Sequence, residues 1–77
     1  MKYFVYILYS EEHNKTYVGY TNNLERRLKE HNSGKSEYTK KYKPWKIVYT
    51  EECKSEIDAR HREKYYKSAA GRRKIKI

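Results

Sequence analysis

The sequence has few of the residues that cross-link or break a chain. Its 77 residues include one cysteine, one proline and three glycines. The single cysteine, Cys53, excludes an internal disulfide and is typical of a reducing compartment, so we expect a cytoplasmic protein in which this thiol is partly buried. No apolar run approaches the length of a membrane span, and no hydrophobic signal segment follows the start. We therefore expect a soluble, unexported chain that does not interact with membranes.

Several common signatures of metal and nucleotide enzymes are also missing. The chain has no Cys–His cluster at zinc spacing, no glycine-rich phosphate loop and no group of acids suited to two metal ions. Its length is close to the lower limit for folding around a single core. With no internal repeat and no second boundary, we predict one domain over residues 1–67, followed by a basic tail over 68–77.

The sequence is rich in basic residues and in tyrosine. Lysine and arginine total 19 against 10 acidic residues, which gives a formal net charge of +9. Such an excess indicates a polyanionic partner, nucleic acid before a membrane surface. The ten tyrosines could stack on bases, supply chemistry or fill a thin core, and packing accounts for most of them.

The first part of the chain predicts a β-hairpin. Residues 2–9 form a continuous β-branched and aromatic run, typical of a central strand buried on both faces. Residues 16–20 predict a second strand, and an antiparallel hairpin would bring Tyr6 near Tyr17. Gly19, where this strand ends, suits a bulge or a close approach of a ligand to the backbone.

The stretch from 17 to 31, YVGYTNNLERRLKEH, contains a break in the expected pattern. Asn22 predicts the N-cap of a helix, and Glu25 would complete a capping box. The inward face of that helix carries two leucines together with Arg27 and His31. A guanidinium on an inward face costs several kcal/mol unless an anion meets it. Local rules tend to be broken at functional sites, so this face is our leading candidate.

Two further segments complete the predicted fold. Residues 35–44, KSEYTKKYKP, interleave lysine with tyrosine in a basic loop or short helix, which could follow a phosphate backbone and stack on bases or simply be solvated. Residues 45–52 predict a third strand with alternate residues on one face, namely Trp45, Ile47 and Tyr49.

The last helix is predicted from Ser55, as its N-cap, to about Lys67. It carries Glu63 on a face with two residues suited to a core, Ala59 and Tyr66. Glu63 is therefore either an acid that points inward or the exposed partner of Lys67 one turn later.

Five candidates that could point inward suit phosphodiester hydrolysis: Tyr6, Tyr17, Arg27, His31 and Glu63. One carboxylate suffices to hold Mg²⁺, which keeps several waters and takes phosphate oxygens as further ligands. An arginine can clamp two phosphate oxygens and gains strength as negative charge accumulates. A tyrosine, with a usual pKa of about 10, is a poor base near neutral pH unless cations lower its pKa and a histidine relays the proton.

Three motifs along the chain resemble those of the GIY-YIG nuclease family. They are V-Y-I at 5–7, with Val5 in place of the leading glycine, Y-V-G at 17–19, and N-L-x-x-R-L-x-x-H at 23–31. The segment DARHREKYYKSAAGRR is similar to the end of small single-domain members and matches the family's metal-binding glutamate to Glu63. The resemblance implies an α+β fold in which helices flank a three-stranded antiparallel sheet.

The resemblance also implies a role for each candidate. Tyr6 would be the general base, Tyr17 would orient water or phosphate, and His31 would assist the base. Arg27 would bind the scissile phosphate, and Glu63 would hold one Mg²⁺ or Mn²⁺ ion. Further contacts to nucleic acid are expected from one position where some members have lysine and from basic segments: Tyr20, Lys35 with its neighbour Ser36, Lys40, Lys41, Arg72 and Arg73.

We therefore expect a metal-dependent DNA endonuclease that is structure-selective or weakly sequence-specific and acts in DNA repair or recombination. One alternative is a nucleic-acid-binding module that uses the same scaffold without cutting. Another is a protein-interaction domain whose basic face binds an acidic partner. Both nucleic-acid hypotheses predict an affinity that falls steeply with salt, in proportion to the phosphates neutralised.

Overall fold

The computed structural model describes residues 2–35 and 37–68. The elements follow one another along the chain as β1 (Tyr3–Ser10), β2 (Lys15–Thr21), α1 (Leu24–Ser33), α2 (Glu37–Lys41), β3 (Lys46–Cys53) and α3 (Glu56–Lys67). The strands pair antiparallel in the order β2-β1-β3. The predicted α+β fold with a three-stranded antiparallel sheet is confirmed, and β1 is the central strand.

Some of the predictions concern residues whose structure is not described. These are Ser36 and the tail beyond Ser68, with Arg72 and Arg73. Within the described ranges, no helix combines the length and the apolar character needed to cross a membrane.

Each face of the central strand packs against a different set of helices. Because side chains alternate along a strand, Val5 and Ile7 point to the face covered by α3, where they join a buried cluster with Tyr66. Tyr6 and Leu8 point to the opposite face, against the leucines of α1 and the buried Trp45. The sheet therefore separates two small cores, and the motif tyrosine belongs to the one beneath α1.

Strand β3 contains an irregularity that the sequence pattern does not predict. Ile7 lies opposite Tyr49, but its neighbour Leu8 lies opposite Ile47, so Val48 is an extra residue in the ladder. Such a bulge reverses the alternation of side chains. The prediction that Tyr49 shares a face with Trp45 and Ile47 is wrong, because Tyr49 turns to α3 and lies 3.0 Å from the Tyr66 hydroxyl.

The ends of the helices follow from short-range hydrogen bonds. The N-cap of α1 is Asn23, whose Oδ1 accepts from the backbone N–H of Arg26 at 3.0 Å. The prediction of Asn22 is wrong by one residue, since β2 continues to Thr21 and its Oγ1 accepts from the Asn23 N–H at 3.1 Å. Gly34 ends α1 in the left-handed conformation, with φ of 91°, as favoured for a helix C-terminus. Ser55 caps α3 as predicted.

A carboxylate on β3 fastens α3 to the sheet. Arg62 Nε donates to Glu51 Oε2 at 2.6 Å, and the Tyr66 hydroxyl donates to Oε1 at 2.8 Å. The Arg62 hydrogen bond, with help from Tyr66, lowers the pKa of Glu51 from 4.5 to about 2. Ionised Glu51 is therefore favoured by folding.

This carboxylate should make stability depend on pH under acidic conditions. The pKa of Glu51 is about 2 in the folded protein, against 4.5 for an ordinary glutamate. Its contribution to the free energy of unfolding is therefore complete above pH 4.5 and is lost as the pH falls towards 2. We expect the urea midpoint of the wild type to fall more steeply over this window than that of Glu51→Gln. Glu52→Gln, an exposed neighbour on the same strand, should keep the wild-type slope. Parallel curves for wild type and Glu51→Gln would contradict the assignment.

Candidate active site

The motif tyrosine reaches its position by crossing a glycine on the neighbouring strand. Tyr6 lies opposite Gly19 in the β1–β2 ladder. A Cβ atom at position 19 would lie 2.6 Å from Tyr6 Oη and 2.8 Å from Cζ, closer than carbon atoms approach without a clash. The close approach predicted at Gly19 is therefore made by the Tyr6 ring, and Gly19 is the residue that makes room for it.

His31 is fully buried and joins β1 to α1 and α2. Its Nε2 lies 2.9 Å from Tyr6 Oη, and its Nδ1 lies 3.0 Å from Thr39 Oγ1. Burial, with the nearby Arg27 charge, lowers the pKa of His31 to about 4. The imidazole is therefore neutral near pH 7, with one nitrogen as a donor and the other as an acceptor.

The surroundings of Tyr6 decide which nitrogen carries the hydrogen. Burial raises the pKa of Tyr6 to about 12, although the hydrogen bond from Arg27 opposes this, so the hydroxyl is protonated. A guanidinium can only donate. With Arg27 donating on this side, we expect the Tyr6 hydroxyl to donate to His31 Nε2 and the His31 Nδ1–H to donate to Thr39 Oγ1.

Thr39 is a site residue that the sequence analysis missed. It is fully buried on α2, and its backbone carbonyl accepts from Trp45 Nε1 at 2.8 Å. The only sequence signal is a small β-branched residue amid the lysines and tyrosines of 35–44. Its partner His31 lies eight positions earlier, which matches neither helix nor strand periodicity.

Arg27 meets its anion within its own helix. Its side chain is one-third exposed, and its Nη1 lies 2.9 Å from Glu30 Oε1. This hydrogen bond raises the pKa of Arg27 and lowers the pKa of Glu30. The guanidinium therefore lies between two groups, the Glu30 carboxylate and the Tyr6 hydroxyl. It does not point into open solvent.

Tyr17, the tyrosine of the second motif, lies against Tyr6 and His31. The ring of Tyr17 is stacked at 6.3 Å from that of Tyr6, and its centroid is 4.8 Å from that of His31. Four of the five inward candidates are therefore brought together, as the hairpin and the helix periodicity predict: Tyr6, Tyr17, Arg27 and His31.

Glu63, the fifth candidate, lies on α3. Its charge contributes to the raised pKa of Tyr6, although its nearest cation is Lys67, with Nζ 3.6 Å from Oε2. Both sequence interpretations thus hold in part, since the side chain is paired with Lys67 yet only 21% exposed. Tyr20 donates to another acid of the same helix, Glu56, at 3.2 Å.

The donor set bears on whether a metal ion could bind. In the described part of the chain, no three His, Cys, Asp or Glu side chains cluster as a metal cage would require. A single carboxylate, here the partly buried Glu63, suits Mg²⁺ or Mn²⁺, which can take their other ligands from water and phosphate. The surrounding lysines would supply phosphate contacts, and those of this surface that are described are all exposed: Lys35, Lys40 and Lys41.

The hydrogen-bond directions at His31 can be tested by NMR. With a pKa near 4, the ring should stay neutral, and its ¹⁵N shifts should not change between pH 8 and 5.5. Nδ1 should give the shift of a protonated nitrogen and Nε2 that of an acceptor. In Thr39→Val, the Nδ1–H loses its acceptor, so the Nδ1 shift should move and the population of this tautomer should fall, whereas Thr39→Ser should behave like the wild type. An Nε2–H tautomer in the wild type would contradict the assignment.

Comparison with known proteins gives a consistent result. A model of the GIY-YIG catalytic domain matches residues 2–76. The chain is 41% identical to a UPF0213 protein of Limosilactobacillus reuteri, over 99% of this chain and 81% of the relative. It is 39% identical to a UPF0213 protein of Staphylococcus haemolyticus, over 99% and 93%. The solution NMR structure of the UPF0213 protein BH0048 from Bacillus halodurans is similar, with a TM-score of 0.56 and 36% identity over 96% of this chain and 79% of that one.

Proposed function

The chain belongs to the GIY-YIG family, as its motifs predict, and we propose that it is a divalent-metal-dependent DNA endonuclease. The observation that carries the proposal is the convergence of a hydroxyl, a neutral imidazole and a guanidinium, those of Tyr6, His31 and Arg27. A buried acceptor, a proton relay and a phosphate clamp are the parts that phosphodiester hydrolysis needs. We propose structure-selective or weakly sequence-specific cleavage in DNA repair or recombination.

The raised pKa of Tyr6 restricts how it can act as a base. Ionising a group with a pKa of about 12 costs about 7 kcal/mol at pH 7. Tyr6 therefore gives its proton to His31 Nε2 as it receives one from the attacking water. The water oxygen bonds to phosphorus, the bond to the leaving oxygen breaks, and the imidazole becomes cationic beside the negative charge that develops on the phosphoryl group.

The other residues hold the substrate. Arg27 donates to the phosphate oxygens and stabilises their added charge in the transition state. Tyr17, stacked on Tyr6 and tilted against His31, orients the water or the phosphate. Glu63 would hold the Mg²⁺ or Mn²⁺ ion, which supplies charge stabilisation for the phosphoryl oxygens and the leaving group.

Substitutions of the relay should separate binding from chemistry. Tyr6→Phe keeps the ring over Gly19 but removes the hydroxyl, so we expect the single-turnover cleavage rate to fall at least about 100-fold while affinity for DNA changes little. Tyr9→Phe on the same strand is the matched control and should cleave like the wild type. Arg27→Ala and Glu63→Gln should each reduce cleavage by a similar factor. The assay uses nicked, branched, single-stranded and duplex DNA, with Mg²⁺, Mn²⁺ or EDTA.

Two outcomes would contradict this mechanism. One is cleavage that survives in EDTA, and the other is cleavage that survives both Arg27→Ala and Glu63→Gln. The non-catalytic binding module is the second candidate, and the raised pKa of Tyr6 favours it, because this residue is held in its protonated form. It predicts salt-sensitive binding, no cleavage by the wild type with either metal, and only modestly weaker binding in Arg27→Ala.

Glu30 should compete with the substrate for Arg27. Because its carboxylate lies 2.9 Å from Nη1, a phosphate must replace or share it. We expect Glu30→Gln to bind DNA about 2- to 5-fold more tightly, the range set by a partly exposed ion pair.

The loss of one negative charge must be separated from the release of Arg27 by Glu30. Glu25→Gln alters the same charge on the exposed face of the same helix and should give a smaller gain. In an Arg27→Ala background, the two substitutions should become equivalent, as a double-mutant cycle measures. Equal gains in the wild-type background would show that Glu30 does not restrain Arg27.

A further inference from the structure

Four aromatic rings extend from the candidate active site to the surface. We call them the aromatic platform: Tyr17, Tyr38, Tyr42 and Trp45. The ring of Tyr38 is nearly parallel to that of Trp45, with centroids 6.4 Å apart and planes at 29°. Its centroid also lies 6.1 Å from that of Tyr17 and 5.2 Å from that of Tyr42. Tyr17 in turn stacks on Tyr6, so the rings connect the surface directly with the site.

Tyr38 is the exposed member of the platform. It is 48% exposed, whereas Trp45 behind it is 3% exposed. Trp45 is itself fixed, because its Nε1 donates to the Thr39 carbonyl at 2.8 Å and Asn32 Oδ1 accepts from its backbone N–H at 2.7 Å. Tyr38 therefore rests on a fixed ring while about half of its own surface is open. A rigid ring supported in this way suits a stacking contact.

The charges around the platform are those that a polyanion requires. Lys40 and Lys41 follow Tyr38 on α2 and are exposed. Lys15 Nζ lies 5.4 Å from the centre of the Tyr42 ring. Glu37 is the one acid of α2, and it precedes the ring while the lysines follow it. Exposed aromatic rings among lysines are typical of surfaces that bind single-stranded nucleic acid, where bases stack and cations follow the phosphates.

We propose that Tyr38 stacks on an unpaired base close to the scissile phosphate, so that the substrate class is DNA with a single-stranded segment at the cleavage site. This inference rests on the proposed function for the position of the phosphate. A base within a duplex is already stacked on both faces and cannot present a face to Tyr38 unless it is extruded. The platform therefore favours flaps, gaps and single strands over intact duplex.

The experiment measures binding in EDTA with the full chain, so cleavage does not enter. Single-stranded DNA containing 2-aminopurine reports stacking on a protein ring by loss of its fluorescence. Tyr38→Leu keeps an apolar side chain against Trp45 but removes the π face, and Tyr38→Phe keeps the ring. We expect Tyr38→Leu to bind single-stranded DNA about 5- to 100-fold more weakly and to quench 2-aminopurine less. Tyr38→Phe should behave like the wild type in both measurements.

Two comparisons make the result specific. Affinity for intact duplex and the slope of affinity against salt should change little in Tyr38→Leu, because no phosphate contact is lost. Ile57→Ala removes an apolar side chain that is 65% exposed on α3 and should leave binding and quenching unchanged. The proposal is overturned if Tyr38→Leu binds single-stranded DNA within about twofold of the wild type with equal quenching, or if it weakens duplex binding equally.

Failure of this inference and failure of the proposed function give different results. If the platform is wrong, the wild type still cleaves and Tyr38→Leu cleaves single-stranded and duplex DNA in the wild-type ratio. If the nuclease proposal is wrong, the wild type cleaves nothing. The affinity for single-stranded DNA and the quenching of its 2-aminopurine then still depend on the ring at position 38.

Discussion

The hydrogen bond between Tyr6 and His31 is the constraint on which the rest of the site depends. Both side chains are buried, and an unpaired polar atom in such a position costs about 1–3 kcal/mol. Each residue must therefore find partners in the interior. Tyr6 reaches its partner only because Gly19 has no side chain, and His31 completes its bonding only when α2 brings Thr39 beneath it. The hydrogen bonds of this one pair therefore join the hairpin to α1 and α2.

The central strand assigns stability and chemistry to opposite faces of the sheet. On the α3 face, Glu51 is bound by Arg62 and Tyr66, a network that is satisfied without a ligand. On the α1 face, Arg27 is held by a single carboxylate at a partly exposed position, which a phosphate could replace. Because side chains alternate along β1, one face of the sheet can hold a stabilising ion-pair network while the other keeps an arginine that can bind a phosphate.

Local patterns predicted the parts of the structure that depend on local physics. The 3.6-residue period placed Arg27 and His31 inward, and the capping residue Ser55 marked the start of α3. The predictions were wrong where one extra residue changed the register, as with the bulge that turns Tyr49 and the longer β2 that moves the N-cap from Asn22 to the next residue. Thr39 was missed because only tertiary packing pairs it with His31.

The inward position of Arg27 indicates that an anion must meet it, but it does not indicate which anion. An inward guanidinium requires that a negative charge meet it, and Glu30 supplies that charge to Arg27 at a spacing of three residues. The same helix therefore supplies both the partly buried cation and the carboxylate that neutralises it. A substrate phosphate gains only the difference between its own contacts and those of Glu30, whereas the Tyr6–His31 pair is already in place. Affinity must then come largely from surrounding lysines and rings, and the positioned pair remains available for chemistry.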